Sequence, residues 1–371
     1  MTGLPEGFDL DALLAPIPGE APVGVDLRED FSPQSPYYRL RDARAEARAA
    51  ERIADAADAE LNQEAVTPPQ WRTVNEIALR ALAEQSKDLE IAAWLTEALL
   101  RSDGLPGLTA GARLLAGLAA YWEDGVLPLP DEDGVVTRVA PITGLNGEGA
   151  DGTLVQPLRR VPLFQRPDGV TYALWQYEQS AEVEGIGDAA RKQQRLAAGT
   201  VPFADMEQAA RATGAARLSA LRGQANAALA AWTAMGEALD ARAGVDGPPT
   251  GRIRDILQSM VAAISKYAPA EEIEAVPEAG AAEATGEASG QSAGTGPARA
   301  VTREDMLRDL LRVADFFKRN EPHSPLAATL EEAARRARLS YAELLEELVP
   351  DVAARHAILT SLGIKPPGED G

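Results

Sequence analysis

From Leu89 to Leu100 the chain reads LEIAAWLTEALL, apolar almost all round a helical wheel. A helix of that kind has to be covered on every side by the rest of the fold. Its neighbours in sequence are apolar on one face only. Trp71, Val74, Ile77, Ala78, Ala81 and Leu82 recur at helical spacing after the Pro68-Pro69 start. Gly104 and Pro106 end the central segment, and Leu108, Ala112, Leu115, Leu118, Ala119 and Trp122 then line one face of a third helix. Three helices with short Gly/Pro connections predict an antiparallel bundle. Composition points the same way. Apolar residues are 45% of the chain but aromatics only 5%, and alanine, which loses no side-chain freedom in a helix, dominates. The expected fold class is mainly α.

Around this bundle the chain divides further. The lead Phe8–Asp30 is turn-rich, with Pro16, Pro18 and Pro22 opposing helix. Tyr37–Glu60 alternates charge with alanine, which predicts a solvated helix with few core contacts. TLVQPLRRVPLF and YALWQY fit a short β-hairpin or extended chain. Leu218, Leu221, Ala225, Ala228, Trp232, Met235 and Leu239 step by three and four as a heptad seam, with Ile253, Ile256, Leu257, Met260 and Ile264 of the next helix as its expected partner. Ala268–Ala300 carries almost no large apolar side chain and cannot offset its ordering entropy, so it is expected to be a disordered acidic linker. Thr302-x-x-Asp305 and Ser340-x-x-Glu343 then open helices of a small domain. The expected division is a bundle domain over 8–165, a helical middle region over 166–267, the linker over 268–300 and an oligomerisation domain over 301–366.

The net charge of −21 repels phosphate backbones and argues against nucleic acid as a partner. The absence of cysteine excludes disulfides and thiolate metal sites. Met1–Asp11 has no basic or apolar signal region, and no apolar run approaches the roughly 20 residues that span a bilayer. A cytoplasmic protein without direct membrane insertion is expected.

Motifs that spell chemistry lack the context chemistry needs. Gly147-x-Gly149-x-x-Gly152 has no buried strand before it and no helix opening after it, since Pro157 intervenes. Gly290-x-Ser292-x-Gly294 spells a nucleophile elbow inside the linker, with only His323 and His356 to serve as a base. Asp124, Asp131, Glu132 and Asp133 do not have EF-hand spacing and read as a solvated acidic turn. Trp71, Trp94 and Trp122 fall on core faces. No catalytic, cofactor or metal-binding residue is assigned, and no enzymatic activity is expected.

Several segments together resemble one family. PIPGEAPVGVDLRED (Pro16–Asp30), with Pro18, Gly19, Glu20 and Gly24, resembles the opening of the ImpA-type N-terminal domain of TssA subunits of the type VI secretion system. Gln70-Trp71-Arg72-Thr73-Val74, Ser86-Lys87-Asp88-Leu89, Ala92-Ala93-Trp94-Leu95 and Gly104–Gly134, with Trp122 before an acidic turn, resemble its centre. Arg138 and Leu145-Asn146-Gly147 fall where that family has an Arg and a Leu-Asn-Gly. Further on, Phe316-Phe317-x-Arg319-x-Glu321-Pro322-x-Ser324-Pro325, Ala334-Arg335-Arg336-Ala337 and Leu348-x-Pro350-Asp351 are similar to the C-terminal domain of shorter, baseplate-associated TssA subunits.

The resemblance implies a structural subunit that links baseplate, sheath and tube during assembly. It also implies self-association into a multi-subunit ring, sixfold or a multiple of that, and no cofactor. Phe316, Phe317, Arg319, Glu321, Pro322, Ser324 and Pro325 are the expected oligomerisation residues. Within the N-terminal motif, Lys87-Asp88 is expected to supply a helix cap and a local ion pair. The alternative from the residues alone is a helical adaptor that binds a partner through the Leu218–Leu239 seam, without a ring.

Overall fold

The computed structural model describes residues 4–61, 67–269 and 325–337, together with single positions between 311 and 355. The chain forms two compact units, Met1–Val276 and Pro277–Gly371. The fold is mainly α, as the composition demands.

In the first unit, α1 (Leu10–Leu14) starts at Asp9, whose carboxylate accepts from the amide of Ala12. The helix α2 (Pro36–Leu61) follows, then α3 (Gln70–Glu84) and α4 (Leu89–Leu118). Within α4 the backbone leaves helical geometry at Gly104, whose φ is +61°. The two halves fold back on each other as a hairpin. Its closeness is measured at Gly111, where a Cβ would lie 2.4 Å from the Thr96 hydroxyl. Nearly every side chain from Leu89 to Leu100 is buried, as the all-round apolar pattern requires.

Beyond α4 come α5 (Val135–Asn146), α6 (Val155–Arg159), β1 (Pro162–Gln165), β2 (Thr171–Ala173), α7 (Leu174–Glu184), α8 (Ala189–Ala197), α9 (Phe203–Thr213), α10 (Ala215–Ala243) and α11 (Gly251–Ser265). The strands β1 and β2 pair antiparallel and make the small hairpin, with helix on both sides of it. One hydrophobic core runs from Leu13 to Ile264.

Two expectations are corrected by the packing. The helix α2 is not a loosely held solvated helix. Leu40, Ala43 and Ala47 are buried against the bundle, and α2 lies on α3. Its alternating charges conceal this narrow apolar stripe at spacings of three and four. The heptad seam of α10 is not available to an outside helix either. Leu218, Ala225, Ala228, Trp232, Met235 and Leu239 are all buried, facing α4 as well as α11. Two alanines in the seam admit that close approach.

Beyond α11, Ala268 packs against the core and the carbonyl of Pro269 accepts from Arg222. In the second unit, α12 (Leu326–Arg336) buries Ala327 and Ala334. Arg335 and Arg336, the centre of the Ala-Arg-Arg-Ala motif, both hold Glu347, at 2.6 and 2.8 Å. Arg335 and Arg336 also hold Glu332, whose carboxyl is drawn down to about 2 by the Arg335 hydrogen bonds.

Candidate functional site

The motif Ser86-Lys87-Asp88 lies where three distant stretches meet. Gly24 bridges Ser86 antiparallel, and Asp88 bridges Leu127 in parallel. Backbone bonds run from Lys87 N–H to the carbonyl of Val23 (2.7 Å) and from Leu127 N–H to the carbonyl of Lys87 (3.0 Å). Gly24 has φ +77°, and a Cβ there would lie 2.0 Å from the carbonyl oxygen of Gln85. The proline-glycine lead is therefore pinned to the α3–α4 connection by backbone contact, and only glycine fits at position 24.

Lys87 is fully buried, and its ammonium donates to the carbonyls of Leu13 and Leu82, each at 2.7 Å. These are orphan carbonyls near the C-terminal ends of α1 and α3, where a cation is favoured. Burial lowers the Lys87 pKa to about 8. The sign follows from linkage. Between about pH 8 and the unfolded lysine value the unfolded chain binds more protons, so this group makes stability rise with pH in that window. Urea unfolding of the parent and of Lys87→Met at pH 7.5 and 9.5 should show the parent gaining on the variant at the higher pH. A constant difference between them would refute the perturbed lysine.

Asp88 is the N-cap of α4, accepting from the amides of Glu90 (2.8 Å) and Ile91 (3.2 Å). The local ion pair expected with Lys87 does not form. Asp88 pairs instead with Arg28, sixty residues away, at 2.6 Å, and Arg28 also reaches Glu90 at 2.6 Å. Burial works against the Arg28 charge, but Asp88 and Glu90 outweigh it and hold the guanidinium firmly protonated. Burial pushes the Asp88 carboxyl up, and Arg28 with the Ile91 amide opposes that rise.

From this pair a ladder of charge and aromatic contacts climbs between α2 and α4. The Tyr37 hydroxyl donates to Glu90 at 3.0 Å, and its pKa is pushed to about 12, first by burial and then by that carboxylate. The Tyr37 ring lies 5.5 Å from Trp94, and Arg44 sits over Trp94 at 5.3 Å. Arg44 then grips the buried Glu97 with two bonds, the shorter 2.6 Å, and Thr153 donates to the same carboxylate at 2.8 Å. One turn on, Arg101 takes both oxygens of Glu51 at 2.8 and 2.9 Å and lies 4.2 Å from the Trp71 ring centre. Tyr37, Arg44 and Glu51 are spaced by seven along α2, so all three face α4.

The three motif tryptophans thus share one arrangement: Trp71 with Arg101, Trp94 with Arg44, and Trp122 with Arg138 at 4.6 Å. All three are buried. Arg138 also donates to the carbonyls of Pro128 and Trp122, each at 3.2 Å, which closes the acidic turn onto α5. Asn146 ends α5 and accepts from the amide of Ile253 at 3.0 Å, satisfying the first turn of α11. The Arg and the Leu-Asn-Gly of the sequence motif therefore tie the bundle to the helices that follow it.

Other expected positions stand apart from the ladder. Pro18, Gly19 and Glu20 are exposed on the lead. Asp131 accepts from the amide of Asp133 and the hydroxyl of Thr137, so the acidic turn satisfies itself. Gly147 and Gly152 press together in a tight loop after α5. Among the described residues no group of three or more His, Cys, Asp or Glu could hold a metal ion. Phe316, Phe317, Arg319, Glu321, Pro322 and Ser324 lie outside the described residues, as do His323, His356 and the Gly290–Gly294 stretch, while Pro325 is exposed before α12. In the ladder Asp88, Glu90 and Glu97 are engaged by arginine and Lys87 by carbonyls. The arrangement joins α1, α2, α3 and α4, and the buried Ser86 hydroxyl beside it is left without a hydrogen-bond partner.

The sequence reading missed the partners of its own motif: Arg28, Tyr37, Arg44, Glu51, Glu97 and Arg101. A signal was present. Glu90, Glu97 and Arg101 interrupt or bound a segment that must be buried, and buried charges are paired.

Comparisons with known proteins agree with this framework. The family described as ImpA, N-terminal, type VI secretion system matches residues 14–147, the stretch that holds most of the ladder. The type VI secretion system component TssA1 of Pseudomonas aeruginosa is 29% identical over 361 residues, covering 93% of this chain and 96% of that protein. A solved structure, the N-terminal domain including the conserved ImpA_N region of the TssA component of the type VI secretion system from Burkholderia cenocepacia, matches with TM-score 0.56 and 27% identity. The match covers 71% of this chain and 96% of that one. Residues 14–147 thus match the ImpA-type N-terminal family, and along nearly its whole length the chain is similar to TssA components of the type VI secretion system.

Proposed function

We propose that the chain is a non-enzymatic assembly subunit of the type VI secretion system that links baseplate, sheath and tube while the apparatus is built. The similarity to TssA components supports a structural role in that machine. The observation that carries the finer reading is the length of the match to TssA1, which takes in the C-terminal segment as well as the ImpA-type part. On this reading residues 1–267 form the contact body and 301–366 gather the subunits into a ring, with 268–300 as the tether between them. The ring works in the cytoplasm, at the inner face of the inner membrane, through the machine rather than by inserting there. No helix among the described residues is long and apolar enough to cross a membrane. The adaptor alternative has no support from the seam it needs, because α10 spends that face on α4 and α11.

Deleting the gene in its host should abolish sheath assembly, seen as the loss of fluorescent sheath structures, together with release of the tube protein into the medium. Both should return when the intact chain is supplied. Normal sheaths in the deletion strain would exclude the assembly role.

A further inference from the structure

We propose that the cleft between α6, α7 and α8 docks an acidic segment of another protein, a stretch in which carboxylates flank an apolar side chain. The cleft is open, with a volume of about 370 Å³, room for a few side chains rather than a whole domain. Arg159, Arg160 and Arg195 line it together with Glu182, and Arg159 is paired with Glu178. Against Glu182 and the Glu178 that pairs with Arg159, the three arginines leave a small local excess of positive charge on a chain of net charge −21. Arginine is the side chain best shaped to hold a carboxylate by two parallel bonds.

Trp175 is the apolar half of the cleft. It is 43% exposed, whereas Trp71, Trp94, Trp122 and Trp232 are at most 8% exposed. An exposed tryptophan beside arginines offers an apolar face and a cation-lined edge together, the combination found where side chains anchor at interfaces.

The helix α8 is the second observation. Its sequence is AARKQQRLA, with three cations and no acid, and none of its side chains is buried. It is held in place from outside the core, by the Asp188 cap on Arg191 N–H at 2.9 Å and by Lys192–Glu184 at 3.1 Å. Core packing therefore does not account for this helix. Arg195 points its charge to the cleft without an ion-pair partner among the described residues. Arg159 is already fixed by Glu178, so part of the basic wall is preset before anything binds. A polyphosphate would meet the same cleft only against the field of the whole chain, while a short acidic peptide brings few charges and an apolar side chain for Trp175.

The proposal concerns residues 156–195 and is independent of ring formation, so the two can fail separately. Gln179, which lines the cleft beside Trp175, is replaced in the full chain by p-benzoylphenylalanine and irradiated in host cells that are assembling the machine. Mass spectrometry then maps the adduct. The expected result is an adduct with another protein, at a segment where Asp or Glu flanks an apolar residue. Adding Arg195→Glu or Trp175→Ala should reduce that adduct at least ~tenfold. Both second-site variants should keep the parent melting temperature, since neither side chain is buried. No adduct, an adduct with nucleic acid or with a second copy of this chain, a partner segment without carboxylates, or an adduct indifferent to Arg195→Glu would each overturn the proposal.

Discussion

Trp94→Ala is expected to lower folding stability by about 3–5 kcal/mol, the range for truncating a buried tryptophan. Trp94 is only 7% exposed and lies between Tyr37 and Arg44 of α2, so the truncation opens a gap between α2 and α4. It also leaves Arg44 without the ring beneath its guanidinium, beside a Glu97 that still needs it. Urea unfolding followed by circular dichroism measures the loss. Unchanged unfolding combined with lost binding to a partner would make Trp94 an exposed contact instead.

Arg28→Ala should be comparably severe, about 3–5 kcal/mol, because it removes one partner of a buried pair and leaves the other charge uncompensated. Asp88 has no exposed surface, and its remaining donors are two helix amides. Without the guanidinium, burial and the Glu90 charge push the carboxyl upward against the Ile91 amide. An acid whose folded value lies above its unfolded value loses stability as pH rises past the ordinary carboxylate range. The variant should therefore be closer to the parent at pH 4 than at pH 7. Adding Asp88→Asn should recover part of the loss, since removing both charges costs less than removing one. A variant as stable as the parent at pH 7 would mean that the Arg28–Asp88 pair contributes nothing to the junction.

The bundle was legible in sequence because its signals are strong and local. The all-apolar run, the Pro68-Pro69 start and Gly104 each fix a feature of α3 or α4 without reference to the rest of the chain. The motif residues were also legible as a set, through resemblance, but their chemistry was not. Asp88 reads as a cap for the helix it precedes, and it is one, yet its charge is answered from Arg28, which no local rule connects to it. Arg44 and Glu51 look like any solvated pair on α2 until α4 is laid beside them. Lys87 next to Asp88 suggests a local pair, whereas its ammonium turns to the carbonyl ends of α1 and α3. What the sequence withheld is long-range pairing, because charge patterns on a helix do not name the surface that they face. The seam of α10 shows the same limit. Its period was correct, but α4 as a second partner could not be read from it.

The ring is the centre of the functional account, and it can be weighed directly. Mass photometry of the full chain, and of the same chain ending at residue 267, reads assembly size at nanomolar to micromolar concentration. The account predicts a discrete large oligomer for the full chain, visible as closed rings by electron microscopy, and a far smaller species once residues 268–371 are removed. A full chain that remains monomeric or dimeric, or a 1–267 body that keeps the large assembly, would contradict it.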